Sequence, residues 1–302
     1  MSYTSGTLSS STSTPGADLL SQLESMLTSH ANWDYVQDVT ISGSTYRVWK
    51  NRGSGTGANS FGQDFYVHFR VDSSQNLNVS ASEGFVTASG NAIRPVAGRS
   101  YGQVLNANGS FGDETSGVAL NSSSVPYAYV QAASSAPYYI SVTANRICLA
   151  AGSGSAFYVG LFDSLLPNEP FPLCISGTSS LGTFYYTADG GTSRQPGKSA
   201  GNTDAYNFCH KLSAWTVTSG DTQTIDIAIG APLASRVLLA PTQQNPTTYG
   251  TARGLLYDCF YLPNGANATR NGDTMTVGSD VYAKMMFGTS NLPAGVWVNT
   301  AV

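Results

Sequence analysis

The segment GGTSRQPGKSAGNTD, residues 190–204, holds the residue types of two catalytic motifs at once. It contains Gly197-Lys198-Ser199, the ending of a phosphate-binding loop, and GKSAG over 197–201 fits the G-x-S-x-G of a nucleophile elbow. A phosphate-binding loop needs a glycine five positions before Gly197, where this chain has Thr192; Gly191 lies one residue too far back. Pro196 removes a backbone N–H from the would-be cradle, and Gly201-Asn202 break the helix whose positive end should face the phosphate. A nucleophile elbow needs an acid and then a histidine arriving from distant loops. After Ser199 the sole histidine is His210, with Asp204 between them, while His30 and His68 precede the serine. Three residues so close in sequence do not build a triad. The segment reads as a turn-rich loop between strands.

The other reactive side chains fail on spacing as well. Cys209 and His210 are adjacent, so their side chains point apart on a strand or helix, and burial of Cys209 among Phe208 and Trp215 is the better reading. Glycoside cleavage needs two carboxylates across a cleft, and Glu83, Asp113 and Glu114 cannot be paired that way from sequence. The three histidines are too dispersed for a metal, and Cys148, Cys174, Cys209 and Cys259 contain no C-x-x-C pair. Cys148 and Cys174 sit inside apolar runs, where a free thiol acts as a small hydrophobe. No catalytic, cofactor-binding or metal-binding residue is assigned, and the chain reads as non-enzymatic.

Charge excludes further classes. Only 11% of the 302 residues are charged, against roughly 25% in an average soluble domain, and the formal net charge is −4. The densest basic group, Arg47, Lys50 and Arg52 in TYRVWKNR, reads as a solvated hairpin face, so no nucleic-acid partner is expected. No apolar run is long enough for a membrane span, and MSYTSGTLSSSTST lacks the basic start and apolar core of a secretory signal. The N-x-S/T sequons at Asn78, Asn108, Asn121 and Asn267 read as chance in a Ser/Thr-rich chain.

The elements follow from periodicity. Ser, Thr, 32 Gly and 17 Tyr with few charges favour strands and turns. Residues 1–14 read as a flexible Ser/Thr arm. TPGADLLSQLESMLTSHANW predicts a helix capped by Thr14, with Pro15 at its first position and Leu19, Leu23, Met26, Leu27 and His30 on one stripe. QDVTI and TYRVWK predict a hairpin about Ser42-Gly43-Ser44. DFYVHFRV alternates Phe65, Val67, Phe69 and Val71 with Tyr66, His68 and Arg70, which assigns His68 to a solvated surface. Residues 15–92 thus read as a small α+β domain, 93–126 as a Gly/Asn/Ser-rich loop or linker, and 127–302 as a mostly-β domain with a β-sandwich-like arrangement. Within the last, GSAFYVGLFDSLLP and TDAYNFCHKL predict two short helices.

Two stretches carry a family resemblance. YYISVTANRICLAAGSGSAFYVGLFDSLLPNEPFPLCISG, residues 138–177, pairs strands about an Asn-Arg turn and leads through an aromatic-Gly-Leu segment and a Pro-rich run into another strand. LLYDCFYLPNGANATRNGDTMTVGSDVYAKMMFG, residues 255–288, closes on a G-D-x-x-x-x-G-x-x-x-Y turn. Together with the opening helix and the aromatic hairpin they resemble virion structural proteins of tailed bacteriophages, of the tail-tip or baseplate type. The resemblance implies a virion component in the tail region, assembled in the host cytoplasm, whose partners are copies of itself and other virion proteins. Low charge suits a subunit stabilised by its contacts. The alternatives are a collar or capsid-surface protein, or a host-receptor module that binds a surface glycan through its tyrosines, as PYAYVQ and APYYIS suggest. An exposed Tyr or Trp cleft lined by Asn and Asp distinguishes the glycan reading from assembly.

Overall fold

The structure, a computed structural model, describes residues 2–95, 117–121, 125, 127–152, 155–165, 172–177, 184–186, 206–209, 235–241, 254–261, 270–286 and 295–301. They form a mostly-β protein with one helix, α1 (Pro15–Ser29), and two antiparallel sheets. Helix α1 buries Leu19, Leu23, Met26 and Leu27 as the stripe predicts. Thr14 makes no side-chain cap bond, a correction to the sequence reading; its backbone N–H is instead taken by the Thr12 hydroxyl.

The smaller sheet runs β2 (Trp33–Ile41), β3 (Ser44–Asn51), β4 (Phe65–Val71), β5 (Asn76–Val86), β6 (Asn91–Pro95) and β7 (Val118–Ala119), with β8 (Ala128–Gln131) also paired to β5. The β2–β3 hairpin turns on Ser42 and Gly43, both at positive φ (50° and 78°), the turn whose twist matches the flanking strands. The larger sheet begins β1 (Ser2–Thr7), β9 (Pro137–Val142), β10 (Arg146–Ala151), β11 (Ser155–Ser164), β12 (Leu173–Gly177) and continues through β13 (Phe184–Tyr186), β14 (Tyr206–Cys209) and β15 (Ser235–Pro241). It ends β16 (Gly254–Tyr261), β19 (Gly295–Asn299), β18 (Asp280–Met286) and β17 (Thr274–Val277).

The layering comes from a period of two in β10–β12. Ile147, Leu149, Phe157, Val159, Leu161 and Leu173 share a core with α1 and with Phe65, Val67, Phe69, Leu77 and Val79 of the smaller sheet. The intervening Cys148, Ala150, Tyr158 and Cys174 pack on Leu256, Cys259, Ala283, Met285, Val296 and Val298, because the larger sheet folds back over its own far face. Strands covered on both faces need apolar residues at every position, which is why RICLAA and SAFYVGLF lack alternation.

Five sequence expectations are corrected here. Residues 155–164 form strand β11, not a helix: an apolar run without alternation mimics a buried helix, and only the partner on each face decides between them. Within TDAYNFCHKL, the described residues Tyr206–Cys209 are also a strand. The arm at 1–14 is not free, since Ser2–Thr7 pair with Pro137–Val142 in register and Leu8 is buried. The 93–126 segment contributes the end of β6, the strand β7, and buried Leu120 and Val125. Nor do 15–92 and 127–302 have separate interiors. One core joins them, and Trp33 Nε1 donates to Thr143 O at 3.0 Å while Asn32 and Asn51 both donate to Ala144 O at 2.8 and 3.0 Å.

Candidate functional site

The chemistry-bearing side chains gather on the far face of the smaller sheet, opposite α1. There Tyr46, Val48, Ala92, Leu120 and Val125 form a separate apolar cluster, and beside it opens a cavity of about 400 Å³ lined by Tyr46, His68, Arg70, Asn78, Asn121 and Tyr127, among others. That volume falls within the range of roughly 300–1,000 Å³ usual for small-molecule pockets. Strand β4 supplies His68 and Arg70 from its outward-pointing positions, β5 supplies Asn78, and Leu120, Asn121, Val125 and Tyr127 complete the lining. The contribution of these last four residues is what the sequence reading missed. His68 does point away from the main core, yet it is only 1% exposed, which corrects its assignment to a solvated surface.

His68 is held on both ring nitrogens. Its Nδ1 lies 3.1 Å from Ser80 Oγ, its direct cross-strand partner, and its Nε2 lies 3.1 Å from Ser82 Oγ. The Ser82 hydroxyl proton is committed to Gly84 O at 2.7 Å, so Ser82 accepts from Nε2–H and Ser80 donates to Nδ1. This is a neutral imidazole of fixed tautomer. Burial, with no compensating carboxylate, depresses its pKa to about 3. A serine donating to a histidine has the outline of a nucleophile and its base, but a base this weak cannot hold the proton near neutrality, where general bases work best. The Ser80–His68–Ser82 row is a structural tie across the sheet.

Arg70 is the open group. Its Nη1 donates to Tyr46 Oη at 3.2 Å, and its guanidinium carbon lies 5.5 Å from the Tyr46 ring centroid and 5.7 Å from that of Tyr127. No carboxylate approaches within 4.0 Å of it among the described residues, unlike Arg47, which has two, and Lys50 and Arg52, which have one each. Its Nε is buried without a hydrogen-bond partner. Asn78, 3% exposed, spends Nδ2 on Arg70 O, Asp72 Oδ2 and Asn76 O, and its Oδ1 is likewise buried with no partner. Tyr127 is 52% exposed and marks the rim. Among the described residues the wall therefore combines tyrosine faces with one cation, and Arg70 Nε and Asn78 Oδ1 lie buried and unpaired behind it, a set that suits a polar ligand with hydroxyls. Asn78, which opens one of the N-x-S/T sequons, is buried in this wall.

A second polar centre lies closed within the other core. Arg146 is fully buried and donates to Ser141 O and Oγ at 2.9 and 2.8 Å, to Tyr257 O at 3.1 Å and to Asp258 O at 3.1 Å. Asp258 stands at φ 50°, which turns its carbonyl into this arrangement. Beside it the Cys148 and Cys259 sulfurs approach to 3.7 Å. Burial pushes the Cys259 thiol up; at Cys148 burial is outweighed by the Cys259 contact and the Arg146 charge, which hold that thiol below its usual value. All three side chains are inaccessible, so this centre organises the interior.

The remaining sequence candidates are placed as follows. Thr192, Gly197, Lys198, Ser199, Asp204 and His210, with Asp113 and Glu114, lie outside the described residues. Cys209 ends β14, and Glu83 lies on β5. Among the described residues no group of three His, Cys, Asp or Glu side chains is placed to hold a metal, and no helix is long and apolar enough to cross a membrane. Of the tyrosines in PYAYVQ and APYYIS, Tyr138 is core, Tyr139 packs against the second core and Tyr127 is exposed at the pocket. Comparison with protein-family models, with curated proteins and with solved structures finds no match to this chain.

Proposed function

We propose that the chain is a non-enzymatic recognition module, a component of a tailed-phage virion, that holds a surface glycan in the Tyr46–Arg70–Tyr127 pocket. The observation that carries the binding reading is an exposed tyrosine at the rim of a cavity whose wall contains Arg70 and Asn78 with buried polar atoms left unpaired. An unmade hydrogen bond on a buried group costs about 1–3 kcal/mol, and a ligand that supplies the partner recovers it. Tyrosine faces suit sugar rings because they are apolar with a polar tip. Support for the virion setting is the resemblance of residues 138–177 and 255–288. The test is a glycan array probed with the full chain and with Tyr127→Ala. Binding that the variant loses supports the reading; a chain that binds no glycan refutes it. Mass spectrometry of intact phage particles tests the setting, and absence of the chain from them removes it.

Assembly with copies of itself or other virion proteins is a second reading, favoured by β1. This strand pairs with β9 on one side and with no described strand on the other. Its sequence, SYTSGT, has no charge and no proline, the devices that protect an open edge. A neighbour's strand adding there would complete the ladder. Light scattering distinguishes the cases: an oligomer dispersed by Thr4→Lys supports edge pairing, and a wild-type monomer rules out self-pairing there.

A further inference from the structure

We infer that the ligand of this pocket is an acidic sugar whose carboxylate pairs with Arg70. The inference rests on the binding reading above and names its chemistry. Among the described residues Arg70 is the one cation in the wall, since the other titratable base there, His68, is neutral and has both nitrogens occupied. The two tyrosines that flank it offer ring faces and no negative charge, and Asp72, the nearest carboxylate in sequence, is turned to the N–H groups of Ser74, Asn76 and Asn78.

The hydrogen bonds on Arg70 select the shape of the anion. Nη1 is spent on Tyr46 and Nε is buried without a partner, so a small shift of the guanidinium toward the cavity presents the edge formed by Nε and Nη2, the side-on fork that a carboxylate fills with two parallel bonds. One cation matches a monoanion; a phosphate dianion calls for more positive charge than this wall holds. Asn78 Oδ1, an acceptor with no donor, is suited to a ring hydroxyl rather than to a second anionic oxygen. A neutral sugar would satisfy Asn78 but leave the guanidinium without a counter-charge.

The test compares acidic polysaccharide fragments with their carboxyl-reduced forms, in which each carboxylate becomes a hydroxymethyl group and the ring is unchanged. Fragments of polygalacturonate, alginate, hyaluronan and polysialic acid are titrated against the full chain, against Arg70→Gln, and against Arg70→Lys, which keeps the charge and loses the fork. The expected result is that at least one acidic fragment binds about tenfold or more tightly than its reduced form, the gain of a charge-assisted pair. Arg70→Gln removes that preference, and Arg70→Lys, with its thermal unfolding close to wild type, retains only part of it. Equal binding of acidic and reduced forms overturns the carboxylate inference while leaving glycan binding in place. Binding of neither form overturns both. Competition by inorganic sulfate as strong as by the fragments shows general anion binding and also overturns the inference.

Discussion

Replacing His68 by glutamine tests the reading of the pocket wall through its pH dependence. In the folded chain the imidazole titrates at about 3, against 6.5 when unfolded. The sign follows from proton counting. Above pH 6.5 neither state binds the proton and His68 contributes no pH dependence. Between 6.5 and about 3 the unfolded chain takes up a proton that the folded chain refuses, so stability falls as the pH falls. Each unit is worth about 1.4 kcal/mol, so from pH 7 to pH 4 the wild type should lose about 3 kcal/mol through this residue alone. His68→Gln keeps a polar group between Ser80 and Ser82 and cannot titrate. Urea denaturation of both proteins at several pH values isolates the effect, because every other titrating group is shared and cancels in the difference. At pH 7 the variant should be the less stable by about 1–2 kcal/mol for imperfect packing and hydrogen bonding, and the gap should close or reverse by pH 4. A gap that stays constant across that range, or an imidazole resonance that titrates near 6.5, would refute the buried neutral histidine.

Three further outcomes are expected. Gly160→Ala should lower stability by about 2–4 kcal/mol in chemical denaturation, since its Cβ would meet Asn145 O at 2.4 Å and Arg146 Cα at 2.5 Å, both backbone atoms; Gly43→Ala, in an open turn with the same denaturation readout, should cost only about 1 kcal/mol. Arg146→Met should cost about 3 kcal/mol or more, measured the same way, because it strands the carbonyls of Ser141, Tyr257 and Asp258; Arg146→Lys should recover part of the loss. Cys148, Cys174 and Cys259, all free and fully buried, should react with a soluble thiol reagent only as fast as the chain unfolds, and rapid labelling of any of the three in the native protein would contradict the closed core.

The helix, the first hairpin and the strand after it were legible because they obey local rules. The α1 stripe, the Ser42-Gly43 hairpin and the alternation of Phe65, Val67, Phe69 and Val71 each follow from the periodicity of one element. The predominance of β structure likewise followed from Ser, Thr, Gly and Tyr content with few charges. Periodicity stopped being informative where a strand is covered twice. Cys148 and Leu149 face different cores only because the larger sheet folds back on itself, and no window around RICLAA contains that.

The pocket was even less accessible from sequence. His68, Ser80 and Ser82 stand 12 and 14 residues apart, a spacing without meaning until the β4–β5 register places Ser80 opposite His68. Arg70 and Tyr127 are 57 positions apart and meet because β8 pairs with β5. The sequence by itself determined which residues would prefer strands, which face of α1 would be apolar, and that no charge run or metal spacing was present. Tertiary structure alone decided that His68 would be buried and neutral, that the first residues would add an edge strand to the larger sheet, and that Arg70 would line a cavity with no carboxylate within 4.0 Å of it among the described residues. The physical reason is that burial, cross-strand register and charge compensation are properties of neighbours in space, whereas propensity and periodicity belong to neighbours along the chain.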